Sequence, residues 1–115
     1  MGTVEEKRGA LPISEVKNLA GSIDYQSNGI VSKAMVDKKS GTVTIFSFDK
    51  GEGLSEHSAP YDALLYVIEG EADITIGGKS YIVKGGEIIL MPANIPHAVK
   101  SVEKFKMLLT MIRSE

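Results

Sequence analysis

The 115-residue sequence has no cysteine and no tryptophan, and only two histidines and four prolines. Without cysteine there are no disulfides, no thiol nucleophile and no thiolate-held metal. No apolar run approaches the ~18 residues that a membrane-spanning helix requires. Lysines are scattered singly and the formal net charge is −2, so the chain lacks the basic stripe with which proteins grip a phosphate backbone. The first residues mix both charge signs and carry no apolar stretch, which does not fit a secretory signal. These absences predict a cytoplasmic protein with neither a nucleic-acid nor a membrane partner.

What is present is ordinary for one soluble domain: 43% apolar and 24% charged residues. Residues 1–29 differ from the remainder. Leu11, Val16, Leu19 and Ala20 could share one face of a short helix beginning near Pro12 and stopped by Gly21, making an N-terminal helix or extended arm. From Ile30 the chain turns into short strands separated by glycine. Ile30 to Val36, Thr42 to Phe48, Ala63 to Ile68, Ala72 to Ile76, Tyr81 to Val83, Ile88 to Met91, His97 to Val102 and Phe105 to Ile112 are rich in β-branched and aromatic residues. Glu69, Gly70 and Glu71 mark a bend, and the pair Gly77 and Gly78 marks a tight hairpin. Strands at this spacing predict an all-β domain over residues 30–115, a small antiparallel barrel or jelly roll.

Two segments carry chemistry. Residues 51–70 read GEGLSEHSAPYDALLYVIEG, and residues 86–101 read GEIILMPANIPHAVKS. The first resembles the cupin motif G-x5-H-x-H-x3-E-x6-G, with Gly51, His57 and Gly70 in register. The second resembles the companion motif G-x5-P-x-G-x2-H-x3-N, with Gly86, Pro92 and His97 in register. The resemblance covers about residues 30–112 and implies a barrel whose interior holds a ligand or metal. Cupins that hold a metal well use two histidines and a glutamate from the first motif and one histidine from the second. Here Ala59 stands at the second histidine position, Ala63 at the glutamate, Asn94 at the motif-two glycine and Ser101 at the asparagine.

Two imidazoles are a thin shell for a divalent ion such as zinc, iron, manganese or nickel, since catalytic sites usually supply three protein ligands. The nearest further carboxylate is Asp62, whose strand parity turns it away from Ala63 unless the preceding turn re-aims it; its other role is to brace that turn by backbone hydrogen bonds. The expected pocket comprises His57, His97, Ala59, Ala63, Tyr61, Ser101 and Met107. Tyr61 either lines the mouth or packs at it. Met107 belongs with Phe105, Leu109 and Met111 to one face that is either cavity wall or core. Tyr66 has the opposite parity to Ala63 and so faces outward. Asn94 suits a left-handed turn.

Three functions follow from the resemblance: a small-ligand-binding module anchored by the two histidines, with no certain cofactor; a dioxygenase- or isomerase-like enzyme with a weakly held metal on His57, His97 and Asp62; and a chiefly structural dimerisation module. No catalytic residue is assigned. A homodimer is expected, since single cupin domains commonly pair. A phosphate-binding loop is excluded because Gly51 to Gly53 precedes no helix.

Overall fold

The computed structural model describes residues 4–7 and 11–113; residues 1–3 and 8–10 of the expected arm and 114–115 of the barrel lie outside the described residues. Among the described residues the chain forms eight strands: β1 (Val4–Lys7), β2 (Ile30–Lys38), β3 (Gly41–Phe48), β4 (Gly53–His57), β5 (Tyr61–Ile76), β6 (Lys79–Lys84), β7 (Ile88–Met91) and β8 (His97–Arg113). β5 and β8 are the spine. They pair antiparallel along nearly their whole length, from Tyr61↔Arg113 to Ile76↔His97, with register shifts between Val67 and Ala72.

Those shifts bend the ladder and divide the sheet into two walls. One wall runs β1-β2-β3, then the second half of β8, the first half of β5, and β7. The other runs β4, the first half of β8, the second half of β5, and β6. The expected bend at Glu69 to Glu71 is thus a set of bulges inside one long strand. At its centre Gly70 has φ +88°, and a Cβ there would lie 2.1 Å from the Lys104 carbonyl oxygen. Gly77 and Gly78 both have positive φ, as a primed two-residue turn requires.

The walls face each other with their apolar rows inward: Phe48, Leu65, Val67, Phe105 and Met107 from the first, Ala72, Ile74, Val83 and Val99 from the second. The rings of Phe48 and Phe105 stack at 4.5 Å near the bend. A smaller cluster lies outside the first wall, where Ile23, Leu11 and Leu19 pack on Val31, Met35, Ile45 and Leu108.

No helix begins near Pro12. Residues 11–19 run as turns and loop, Val16 is fully exposed, and the one helical piece described in this arm is the 3-10 turn Ala20–Ser22. Four apolar residues between Pro12 and Gly21 cannot repay the cost of nucleating a helix when Leu11 and Leu19 can instead reach the sheet. β1, by contrast, has no counterpart in the sequence reading: it pairs parallel with β2, Val4 opposite Ile30.

Candidate functional site

The barrel is closed at the bend and open at the other end. Along the first wall the inward residues pass from sealed to accessible: Phe105 and Met107 to Leu109 and Met111 on β8, and Phe48 to Phe46, Thr44 and Thr42 on β3. Along the second wall the buried Ile74 gives way to the partly exposed Ile76 on β5, whereas Ser101, Val99 and His97 on β8 all stay buried. Both gradients point to the same mouth, because His57 ends β4 and Tyr61 begins β5 with only three residues between them, a span of at most ~14 Å. The mouth therefore has a histidine wall and a wall made by Thr42, Tyr61 and Met111.

On the histidine wall, His57 and His97 are direct Cα partners across the β4–β8 ladder. Between Leu54 and His57 the ladder slips by one residue, and this bulge turns His57 to the same face as His97. The ring centroids lie 4.4 Å apart at 66°, edge to face. His57 is exposed at the rim, whereas His97 is only 8% exposed. Each ring is held by the carbonyl two residues before it: His57 Nδ1 donates to the Ser55 carbonyl at 2.9 Å, and His97 Nδ1 to the Ile95 carbonyl at 3.2 Å. A carbonyl oxygen only accepts, so both Nδ1 atoms carry a proton, and in its neutral form each ring keeps a lone pair on Nε2. Burial pushes the pKa of His97 below its ordinary value; the Ile95 bond opposes this and the neighbouring His57 adds to it.

The opposite wall is a cavity of about 400 Å³ lined by Val4, Glu6, Ser32, Ala34, Asp37, Thr42, Thr44, Phe46 and Met111. A cleft of about 60 Å³ adjoins it, sharing Thr42 and Met111 and bounded by Gly41, Tyr61 and Arg113. The Arg113 guanidinium stands over the Tyr61 ring at 5.5 Å. Thr42 Oγ1 is buried with no hydrogen-bond partner among the described residues. A larger groove of about 660 Å³ lies on the outside of the first wall between Gly21–Ser27 and Lys33; neither it nor the cavity and cleft beside Thr42 is lined by His57 or His97.

Of the residues expected in the pocket, His57, His97 and Tyr61 stand at the mouth. Ala63 is 3% exposed, inside the core. Ala59 lies on the loop between them, its carbonyl accepting from Asn94 N–H at 2.8 Å; Asn94 has the left-handed φ of +66° expected of it. Ser101 and Met107 do not join them. The Ser101 hydroxyl is spent on the Glu103 carbonyl, four residues or roughly 13 Å along β8 from His97, and Met107 is sealed in the core at 1% exposure. Tyr66 lies on the outer face, between Ile88 and Leu108.

Asp62 does not complete a metal shell either. Its Oδ1 accepts the Ala93 N–H at 2.9 Å, tying the start of β5 to the 92–96 loop rather than bracing the Pro60 turn. Among the described residues no group of three or more histidine, cysteine, aspartate or glutamate side chains can hold a metal ion. Two Nε2 lone pairs fall short of the three protein ligands a catalytic zinc site uses, so the donor set does not fit a firmly held metal.

Thr42 and Arg113 were not expected at the mouth. Thr42 could have been found, since it shares parity with the inward residues Phe46 and Phe48 on a strong strand. Arg113 could not, because it meets Tyr61 only through the long β5–β8 register.

The family described as the cupin domain matches residues 44–113. The chain belongs to the cupin family. A conserved protein of unknown function from Streptococcus pyogenes is 36% identical, with TM-score 0.88 over 93% of this chain and 94% of that one. A cupin superfamily protein from Desulfitobacterium hafniense is 28% identical, with TM-score 0.86 over 94% and 99% of the two chains. A cupin 2 conserved barrel domain protein from Leptotrichia buccalis is 50% identical over 84% of this chain, with TM-score 0.82, and the match covers 47% of its length. No curated protein matches. This cupin thus keeps the jelly-roll barrel and the His57–His97 pair, and lacks a complete metal triad among the described residues.

Proposed function

We propose that this cupin binds a small amphipathic molecule at its open end, with no resident metal. The observation that carries the reading is the histidine pair: each Nδ1 is occupied by a backbone carbonyl, so both Nε2 acceptors are left for a ligand. A hydroxyl or N–H of the ligand satisfies them. Phe46, Leu109 and Met111 offer an apolar surface for its other end. The rising exposure of the inward residues along β3, along β5 from Ile74 to Ile76 and along the second half of β8 supports an accessible pocket rather than a barrel packed shut, and so favours ligand binding over a purely structural role. A metal-dependent dioxygenase or isomerase would need a third ligand that the donor set does not supply. In this reading the protein works in the cytoplasm as a homodimer.

The test is proton NMR of the two histidines during titration with a panel of small hydroxy acids and sugars. At least one compound should shift both imidazole spectra together, and His57→Ala should abolish the response at His97. If no compound moves either ring, or if His57→Ala leaves the response intact, the reading is wrong.

A further inference from the structure

The inward face of the second wall ends at the mouth in a row that crosses all four of its strands. His57 on β4 pairs with His97 on β8, His97 with Ile76 on β5, and Ile76 with Lys79 on β6. The turn at Gly77 and Gly78 makes Lys79 the direct partner of Ile76. Val83, four residues further on and so on the same face, is part of the core between the walls. Along β6 the inward residues open toward the mouth: Val83 is 4% exposed, Tyr81 is 36% exposed, and Lys79 is exposed. The row therefore sets an ammonium group beside the two imidazoles, two strand spacings or ~10 Å from His97 at the backbone.

The charge of Lys79 is not balanced locally. On the outer face of the same wall Lys100 stands directly opposite Asp73, an arrangement that pairs opposite charges across a ladder. Among the described residues no carboxylate lies within ion-pair distance of Lys79. Its Nζ lies 5.3 Å from the centroid of the Tyr81 ring instead. An aromatic face attracts the cation while leaving its N–H donors open. The carboxylates that line this end of the barrel, Glu6 and Asp37, belong to β1 and β2. Those strands lie beyond β3 on one side of the β5–β8 spine, and β6 lies on the other. Lys79 and the two acids thus stand at opposite ends of the mouth.

We propose that Lys79 selects ligands bearing a carboxylate, so that the molecule held at the histidine pair is a hydroxy acid with an apolar body. This rests on the histidine-anchored pocket and names the class of molecule that fills it. The hydroxyl donates to an imidazole Nε2, the carboxylate accepts from the Lys79 ammonium, and the body lies against Phe46, Leu109 and Met111 on the facing wall. The spacing suits such a molecule. Of the ~10 Å between His97 and Lys79, two hydrogen bonds of ~2.8 Å take up more than half. What remains matches a hydroxyl and a carboxylate a few atoms apart. A neutral sugar or alcohol satisfies the imidazoles but leaves the ammonium without its charge-assisted bond, which is roughly twice as strong as a neutral one. The carboxylate, and not the hydroxyl, is what discriminates.

The experiment titrates the full chain with 2-hydroxyhexanoate and 3-hydroxyhexanoate, each beside its uncharged amide, and follows the ring resonances of His57 and His97. At least one acid should bind about tenfold more tightly than its amide. Lys79→Gln should bring that acid and its amide to equal affinity while changing the amide little, and Lys79→Arg should retain the preference. Lys84→Gln removes a charge from the outer face of the same strand and should leave the preference intact. If neither acids nor amides move the rings, the pocket and the role of Lys79 fall together. If amides match acids, or the preference survives Lys79→Gln or is equally lost in Lys84→Gln, the role of Lys79 falls and the pocket stands.

Discussion

The Asp62 carboxylate accepts a hydrogen bond from the Ala93 backbone N–H, 31 residues along the chain. Together with the Ala59–Asn94 backbone bond, it stitches the loop after His57 to the loop before His97. The β4–β8 ladder sets the spacing of the two imidazoles, and the loops beside it are tied by a residue that coordinates nothing.

Replacing Asp62 by alanine should therefore loosen the mouth without unfolding the barrel. The expected loss is about 1 kcal/mol of stability, read as a lower urea midpoint. Faster exchange of the Ala93 amide should accompany it, while amides of Leu65 and Ile74 stay protected. Uniformly faster exchange across the core would contradict this local role.

His97 gives the protein a pH dependence of definite sign. Its folded pKa lies below the ordinary value of 6.5, first because it is buried. The unfolded chain therefore takes up a proton near pH 6.5 that the folded chain refuses. This contribution to stability is complete above that pH and is lost as pH falls through the lower folded value. Urea midpoints should decline as the pH falls below about 6.5, and His97→Asn should flatten part of the decline. An unchanged slope in the variant would remove His97 as its source.

Restoring the missing cupin ligands should create a metal site. Ala59→His with Ala63→Glu adds an imidazole and a carboxylate to the two open Nε2 positions, reaching the usual donor count. Without metal the variant should melt below the wild type, because the Ala63 position is buried and a carboxylate there is desolvated. Added zinc should raise its melting temperature, whereas the wild type should respond weakly. A strong zinc response in the wild type, lost in His57→Ala, would show that two imidazoles suffice.

Gly70→Ala tests the bend. A methyl group there would meet the Lys104 carbonyl oxygen at 2.1 Å and Phe105 at 2.6 Å, in a backbone region that side chains disfavour. The variant should lose more than ~2 kcal/mol in denaturant unfolding. Gly78→Ala, where the added carbon meets nothing within 4 Å, should cost less.

Much of the fold was legible because the local signals agreed. Thr42 to Phe48 is strand by residue type, Gly77 and Gly78 are a primed turn by necessity, and Asn94 takes the conformation that its cupin counterpart gives to glycine. β4 was harder to see, since GLSEH has neither alternation nor β-branched residues and exists as a strand through its pairing with β8. β1 is likewise created by a parallel partner 26 residues away. At the site, spacing alone identified His57 and His97. The fate of Asp62, Ser101 and Met107 depended on which backbone groups the folded chain left open, and strand parity does not encode that.

The β5–β8 spine also bears on how the molecule assembles. Its ladder joins residues roughly 20 apart at Ile76–His97 and roughly 50 apart at Tyr61–Arg113. Closing the shorter loop costs less chain entropy, so pairing is expected to start at the histidine end and to zip through the Gly70 bend toward Arg113. A topology of such distant partners folds in milliseconds to seconds rather than microseconds. On this account the β5–β8 ladder is expected to form first beside His97, whereas His57 joins it only when β4 pairs with β8 across 40 residues.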